Sequence, residues 1–370
     1  MPFPPAPPPP RSPWQRLYGA AHAAWRRYWA GRAARLPRPV VSVGNLHWGG
    51  AGKTPLTAAV ARHLRDRPGG GLRVAILSRG HGRSEPGRVR VVSTGEGPLL
   101  GPAGAGDEPV LLAGELPGVA VLVGADRHAA GRHALAHLEP PPDVFVLDDG
   151  FSHLRLARDV DLLAFPAADP WAGGRLAPGG RLREPLASAA RADAVLATGA
   201  GEAVASGELA RHLARELAPY GFRGPAFSAP TRFEAPRWAA GGGAAAGEPL
   251  PPGSRVLLVS GVARPESFLR AVRAFDVTVT GELRFPDHHP YPEASLERIR
   301  RAFVDQGAEA VLTTAKDRVK LLGRTEPRLD LPLAELPLRL EPEPAFWEWL
   351  DGRLGFPSAP AASPEERAGP

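Results

Sequence analysis

The chain has 370 residues, including 44 Pro and 43 Gly but no cysteine, and a formal charge of +6. That length allows two domains with full cores, and the missing cysteine excludes a disulfide framework, a thiolate metal site and a Cys nucleophile. No apolar run is long enough to span a bilayer and the proline-rich start has no signal-peptide segment, so a soluble or membrane-peripheral protein is expected.

Residues 1–13 are mostly proline and are expected to form a disordered arm. From Trp14 to Leu36 the pattern turns helical: Trp14, Leu17, Tyr18, Ala21, Trp25, Tyr28 and Trp29 recur at three- and four-residue steps. No acid precedes Asp66, whereas Arg11, Arg16, Arg26, Arg27, Arg32, Arg35 and Arg38 all do. An aromatic helix flanked by Arg and free of acids suits a membrane interface; a helix capping the core is the alternative. Nucleic acid is not expected as a partner, because no recognisable motif accompanies the basic charge.

Strand-like runs follow at Val40–Val43, Arg73–Leu77, Val89–Val92, Val119–Val123, Val144–Leu147, Asp161–Phe165 and Ala194–Ala197, with helical segments between several of them. That rhythm predicts a parallel sheet covered on both faces. Residues 231–254 are rich in Gly and Pro and read as a flexible linker. A second α/β unit is expected over 255–354, with strands at Arg255–Ser260, Val277–Gly281 and Ala310–Thr313 and a helix over Pro265–Arg273. Residues 355–370 read as a disordered tail.

The most informative segment is Ser42–Pro55, where a β-branched run enters the Gly-rich loop His47-Trp48-Gly49-Gly50-Ala51-Gly52, followed by Lys53, Thr54 and a helical pattern. Strand, loop and helix in that order build a phosphate cradle. Backbone N–H groups face the oxygens, Lys53 reaches the β/γ-phosphates, and Thr54 can hold Mg²⁺. His47 stands where the common P-loop spacing has its first glycine. Downstream, Asp148 and Asp149 end an apolar strand, as acids beside a nucleotide's Mg²⁺ do in P-loop proteins. Further candidates are Asp107 and Glu108 before Pro109, the Arg-bearing turns Gly173–Leu186, and the loop Phe285–Tyr291 with His288 and His289. Lys316-Asp317 superficially resembles a guanine reader, but its spacing fails.

Taken together and in order, these segments resemble one family, the tetraacyldisaccharide 4′-kinases of lipid A synthesis. They are SVGNLHWGGAGKTP (42–55), LSRGHGR (77–83), GDEPVLLA (106–113), VFVLDDGFSHLRLARDVDLL (144–163), GGRLAPGGRLREPL (173–186), RADAVLATG (191–199), FPDHHPY (285–291) and TTAKDRVKL (313–321). The resemblance implies two α/β/α sandwich domains, the larger (37–230) a P-loop NTPase-like parallel sheet. It also implies an N-terminal amphipathic helix (14–36) that docks on the cytoplasmic face of the inner membrane.

By the same resemblance, residues 47–54 hold ATP, and Thr54, Glu108 and Asp148 hold Mg²⁺. Asp107 matches the catalytic base and His288 its partner, while Asp149, Arg183 and Glu184 match other active-site or substrate positions. The implied partners are the lipid A disaccharide 1-phosphate precursor and the membrane surface, with no obligate protein partner. Ser152, Arg181 and Arg264 depart from the family pattern. A P-loop GTPase or ATPase of the metallochaperone or carboxylate-amine ligase type is the alternative, and a lipid-binding protein with an eroded site a third.

Overall fold

The computed structural model describes residues 5–7, 12–29, 31–67, 70–85, 87–177, 179–240, 245–323 and 329–356. Most of the proline-rich arm and all but two residues of the tail lie outside the described residues. In chain order the elements begin with α1 (Pro13–Trp29), β1 (Val40–Gly44), α2 (Lys53–Arg65) and β2 (Val74–Ser78). Then come β3 (Arg90–Ser93), α3 (Pro102–Ala105), α4 (Asp107–Glu115), β4 (Ala120–Val123), α5 (Arg127–His137), β5 (Val144–Asp148), β6 (Val160–Pro166) and β7 (Ala194–Gly199). After α6 (Glu202–Ala205) and α7 (Glu208–Leu217) follow β8 (Ala226–Phe233), β9 (Arg237–Ala240), β10 (Ser254–Ser260), α8 (Pro265–Val272) and β11 (Val277–Arg284). The last elements are α9 (Glu293–Asp305), β12 (Ala310–Thr314), α10 (Ala315–Leu322), β13 (Leu333–Leu336), β14 (Leu338–Leu340) and α11 (Pro344–Arg353).

The chain divides into two compact units, the first made of residues 1–77, 126–230 and 341–370, the second of 78–125 and 231–340. In the first, strands run in the order β8-β7-β6-β1-β5-β2, each paired in parallel with its neighbour. β1 sits centrally, and every one of its residues is buried, the reason it reads as an unbroken β-branched run. α2 covers the sheet with Leu56, Val60 and Leu64, one helical face at four-residue spacing, all fully buried. Because Val43 is in register with Asp148, the loop after β1 and the acids after β5 leave the sheet side by side. The crevice outside the carboxyl ends of parallel strands is where such sheets bind ligands.

The second unit carries a five-stranded sheet in the order β11-β10-β12-β13-β9, parallel except for β9 against β13. Val256 and Leu258 of β10 pack with Phe268 and Val272 of α8. Leu257 and Val259 pack on the opposite face with Leu296 and Ile299 of α9. Alternate residues of one strand thus feed two cores, as an α/β/α layer demands.

Four features differ from the sequence reading. Residues 231–254, expected as a linker, contain the end of β8 and the edge strand β9, whose Trp238 enters the second core. Segment 78–125, expected in the larger domain, belongs to the second unit, and α11 belongs to the first, where Asp351 meets His63 at 3.0 Å and Arg67 at 3.3 Å. Finally, α1 ends at Trp29, and Gly31, with φ 78°, turns the chain away.

Candidate active site

In the first unit the loop after β1 closes on Gly52, whose φ of 74° is left-handed and whose position caps α2. Only glycine reaches that conformation without a Cβ penalty. The N–H groups of the first helical turn have no partner within the helix, which is the basis of anion binding there. A Cβ built on Gly49 or Gly50 would meet nothing within 4 Å among the described residues. The loop is pinned from behind, where Thr198 Oγ1 donates to the Ala51 carbonyl at 2.9 Å.

His47 does not face the open side. Its side chain is buried, and Nδ1 lies 3.4 Å from Asn45 Nδ2 and 3.2 Å from the Trp48 carbonyl. Burial lowers its pKa to about 4, with Lys53 and Arg181 pushing the same way against the Trp48 carbonyl, so the ring is neutral at pH 7. The neighbouring Trp48 is exposed.

A short strip of backbone pairing attaches the Arg-bearing turns to this loop. Trp48 N donates to Arg181 O at 2.8 Å, Arg183 N donates to Leu46 O at 2.8 Å, and His47 bridges Leu182. Arg183 is thereby aimed at Asp149, which it holds through two hydrogen bonds of 2.9 and 2.7 Å, and it also donates to Asn45 Oδ1 at 2.5 Å. Its guanidinium lies over the Trp48 ring, 5.3 Å from the centroid. Lys53 Nζ stands 3.8 Å from Asp149 Oδ1. Burial alone would raise the Asp149 pKa; the Arg183 hydrogen bonds and the Lys53 charge overcome it and hold the value at about 2. Of the other arginines in these turns, Arg181 pairs with Asp169 and Arg175 is exposed.

Asp148 is almost fully buried and accepts from Thr57 Oγ1 at 3.2 Å, one helical turn beyond Thr54. Glu184 is buried as well, with both oxygens engaged. Ser152 donates to Oε1 at 2.6 Å, Arg191 reaches Oε2 at 2.8 Å, and His22 Nε2 lies 3.4 Å from Oε2. Tyr18 of α1 donates to the Arg183 carbonyl at 2.8 Å. One face of α1 is therefore tied to the 183–184 segment, while Trp14, Leu17, Trp25 and Tyr28 are exposed. The single aromatic stripe of the sequence splits in two: Tyr18 packs against the first unit's core, and Arg32 stacks on Tyr28, 4.8 Å from its ring centroid.

In the second unit, α4 begins at Asp107. Gly106 before it has φ 91°, and a Cβ there would lie 2.7 Å from the His81 carbonyl, so glycine lets the helix start against the 80–82 turn. Asp107 Oδ2 lies 3.7 Å from His288 Nδ1 and 3.9 Å from Lys320 Nζ. A narrow pocket is lined by His81, Asp107, Glu108, Pro109 and His288. The structure thus brings Asp107, Glu108 and His288 together within one unit, though 180 residues separate the two members of the pair in sequence. Lys53, Thr54, Asp148, Asp149, Arg183 and Glu184 belong to the first unit, so the Thr54, Glu108 and Asp148 metal set is divided between the units. Sequence reasoning quoted His81, Asn45 and Lys320 within motifs and weighed Lys316 as a guanine reader, but gave none of them a place in the site. His81 sits between two glycines, and Lys316 and Lys320 recur at i and i+4; both were visible signals.

The family model for tetraacyldisaccharide-1-P 4′-kinase matches residues 12–355. The chain belongs to that family. A tetraacyldisaccharide 4′-kinase from Pelobacter propionicus is 41% identical over 300 residues, covering 79% of this chain and 76% of the relative. One from Anaeromyxobacter dehalogenans is 44% identical over 292 residues, covering 78% and 74%. Among solved structures, LpxK from Aquifex aeolicus in complex with ATP superposes with a TM-score of 0.69 at 29% identity, covering 92% of this chain and 98% of that one. Membership in the 4′-kinase family accounts for a parallel sheet with a phosphate loop at its centre. It also gives the departures a setting: Ser152 binds Glu184, and Arg181 pairs with Asp169.

Proposed function

We propose that this chain transfers the γ-phosphoryl group of ATP to the 4′-hydroxyl of a tetraacylated disaccharide 1-phosphate, the lipid A precursor. The observation that carries this reading is the family match across residues 12–355, on which the phosphate loop, Asp107 and His288 all fall. The acceptor oxygen attacks the γ-phosphorus, the bond to the β–γ bridging oxygen breaks, and the hydroxyl proton passes to the Asp107 carboxylate. Lys53 and the N–H groups of the loop and α2 neutralise charge on the phosphates. His288 orients the base.

The donors fit Mg²⁺ delivered with its nucleotide. Among the described residues no three His, Asp or Glu side chains cluster to cage a metal. Mg²⁺ commonly takes one or two carboxylates and completes its shell with phosphate oxygens and water. The hard oxygens of Thr54 and Asp148 suit that role, and the ion would neutralise the β- and γ-phosphate oxygens. Glu184, with both oxygens engaged, serves as a support for Arg183 and α1.

The exposed row Trp14, Leu17, Trp25 and Tyr28 favours docking of α1 in a membrane interface, at the cytoplasmic face of the inner membrane where the acceptor resides. No helix among the described residues is long and apolar enough to cross a membrane. The GTPase alternative gains nothing from the structure: Asp317 is fully buried and its carboxylate is bound to Gly261 N and Thr314.

The test is turnover of ATP with the acceptor lipid in mixed micelles. Wild-type protein yields the 4′-phosphorylated product, and Asp107→Ala slows kcat by about 10²–10⁴-fold, the usual range for losing a general base. Wild-type protein that binds both ligands and makes no product refutes the proposal.

A further inference from the structure

Helix α10 carries two lysines, four residues apart, toward the Asp107–His288 pair. Its start is fixed by its own residues. Thr314 caps it by accepting from Asp317 N at 3.1 Å, and Asp317 Oδ2 accepts from Gly261 N at 2.8 Å at the end of β10. Lys320 forms an ion pair with Asp317 at 2.9 Å and lies 3.9 Å from Asp107 Oδ2. One turn earlier, Lys316 Nζ lies 3.0 Å from His288 Nε2 and 3.3 Å from Asp287 Oδ1. Residues i and i+4 share a helix face, so the two cations flank the pair from a single rigid element. His288 itself is held with φ 59°, and its backbone N–H donates to Asp287 Oδ1 at 3.0 Å.

A lysine ammonium has three donors and no acceptor. At 3.0 Å from Nε2 it can form a hydrogen bond only if that nitrogen carries a lone pair. The imidazole proton then sits on Nδ1, the nitrogen facing Asp107. The reverse tautomer would point Nε2–H at an ammonium and a bare Nδ1 at a carboxylate, losing both interactions and leaving donor against donor and lone pair against lone pair. Which ring nitrogen is protonated is commonly set by the partner of the other.

We propose that Lys316 is a positioning residue that fixes His288 in the Nδ1–H tautomer, so that the imidazole donates a hydrogen bond to one oxygen of Asp107 and orients the carboxylate. The separation of 3.7 Å between Nδ1 and Oδ2 is longer than a hydrogen bond, and catalytic contacts of this kind tighten when substrate binds. One carboxylate oxygen is thereby taken by His288, and the other is left for the proton of the attacking hydroxyl. The assignment deepens the kinase reading and rests on it for its catalytic meaning.

The test reads the ring directly. Full-length protein labelled with ¹⁵N-histidine gives long-range ¹H–¹⁵N correlations that separate protonated from bare imidazole nitrogens, and the His288→Gln variant identifies the His288 signals. The expected wild-type pattern is a protonated Nδ1 and a bare Nε2. In Lys316→Met the proton redistributes to Nε2, and Lys316→Arg, which keeps a donor, restores the wild-type pattern. Alongside, Lys316→Met lowers kcat by about tenfold or more with the KM for ATP changed by less than about threefold, and Lys316→Arg recovers most of the rate. An Nε2–H ring in the wild type, or an Nδ1–H ring that persists in Lys316→Met, overturns the proposal. A wild-type chain with the expected ring pattern but no lipid phosphorylation overturns the kinase reading and leaves the Lys316 assignment standing.

Discussion

Replacing Glu184 with Gln distinguishes a support from a substrate contact. The Glu184 and Arg191 side chains are 2% and 19% exposed and pair at 2.8 Å, and Arg191 also stacks on Phe151, 3.7 Å from its ring centroid. Gln keeps the shape but removes the charge and turns an amide N–H₂ toward a donor. Breaking a buried pair by altering one partner costs about 3–5 kcal/mol. The remaining exposure of Arg191 and its aromatic contact place this case at the low end, about 3 kcal/mol. At about 2–4 °C per kcal/mol for a unit of about 200 residues, Tm falls by about 6–12 °C.

The loss also has a pH signature. Burial alone would raise the Glu184 pKa, but hydrogen bonds from His22, Arg191 and Ser152 hold it well below its ordinary 4.5. A carboxylate whose pKa is depressed on folding stabilises the protein above its unfolded pKa, and that contribution drains away as pH falls through the folded value. The Tm difference between wild type and Glu184→Gln is therefore flat from about pH 8 to about pH 5 and narrows below about pH 4.5. Scanning calorimetry across that range measures it. An unchanged Tm at pH 7.5 would show that the carboxylate does not hold the 183–184 segment, and the reasoning fails.

Other outcomes follow from the same geometry. Arg183→Met releases Asp149 to capture Lys53, now 3.8 Å away, and the competition with phosphate raises the KM for ATP by about 30-fold, the equivalent of about 2 kcal/mol for a charge-assisted pair. An ATP titration giving an unchanged KM would show that Arg183 does not keep Asp149 from the lysine. Serine at Trp14, Trp25 and Tyr28 together weakens partition to anionic vesicles by about 1,000-fold or more, since each buried aromatic contributes about 1.5–3 kcal/mol. Equal partition in a sedimentation assay would reassign α1 to capping the core.

The elements that form by local pattern were legible in the sequence. β1 to β7 all fall within a few residues of their strand-like runs, and the phosphate loop was announced by strand, glycines and Lys-Thr in order. What escaped was partnership over distance. Nothing local in 78–125 says that α4 packs beside α10, or that Asp107 and His288 meet. The family resemblance implied that pair, and Lys316, weighed only as a guanine reader, was not placed behind it because a helix face has meaning only once its neighbour is known. β9 was missed for a different reason: four residues between Pro236 and the Gly241–Gly243 run carry too little alternation to register, and pairing with β13 supplies the stability that the segment itself lacks. His47 looked like a defect in a motif and is instead a neutral ring tucked behind the loop.

The last helix of the chain has a temporal consequence. α11 contributes Phe346 and Leu350 to the interior and sets Asp351 between His63, in the last turn of α2, and Arg67, just beyond that helix, which opens with Lys53. A ribosome delivers these groups nearly three hundred residues apart. The ion pairs at the base of the phosphate-binding helix therefore form only once almost the whole polypeptide has emerged, and a message cut short after β14 yields a product that lacks them.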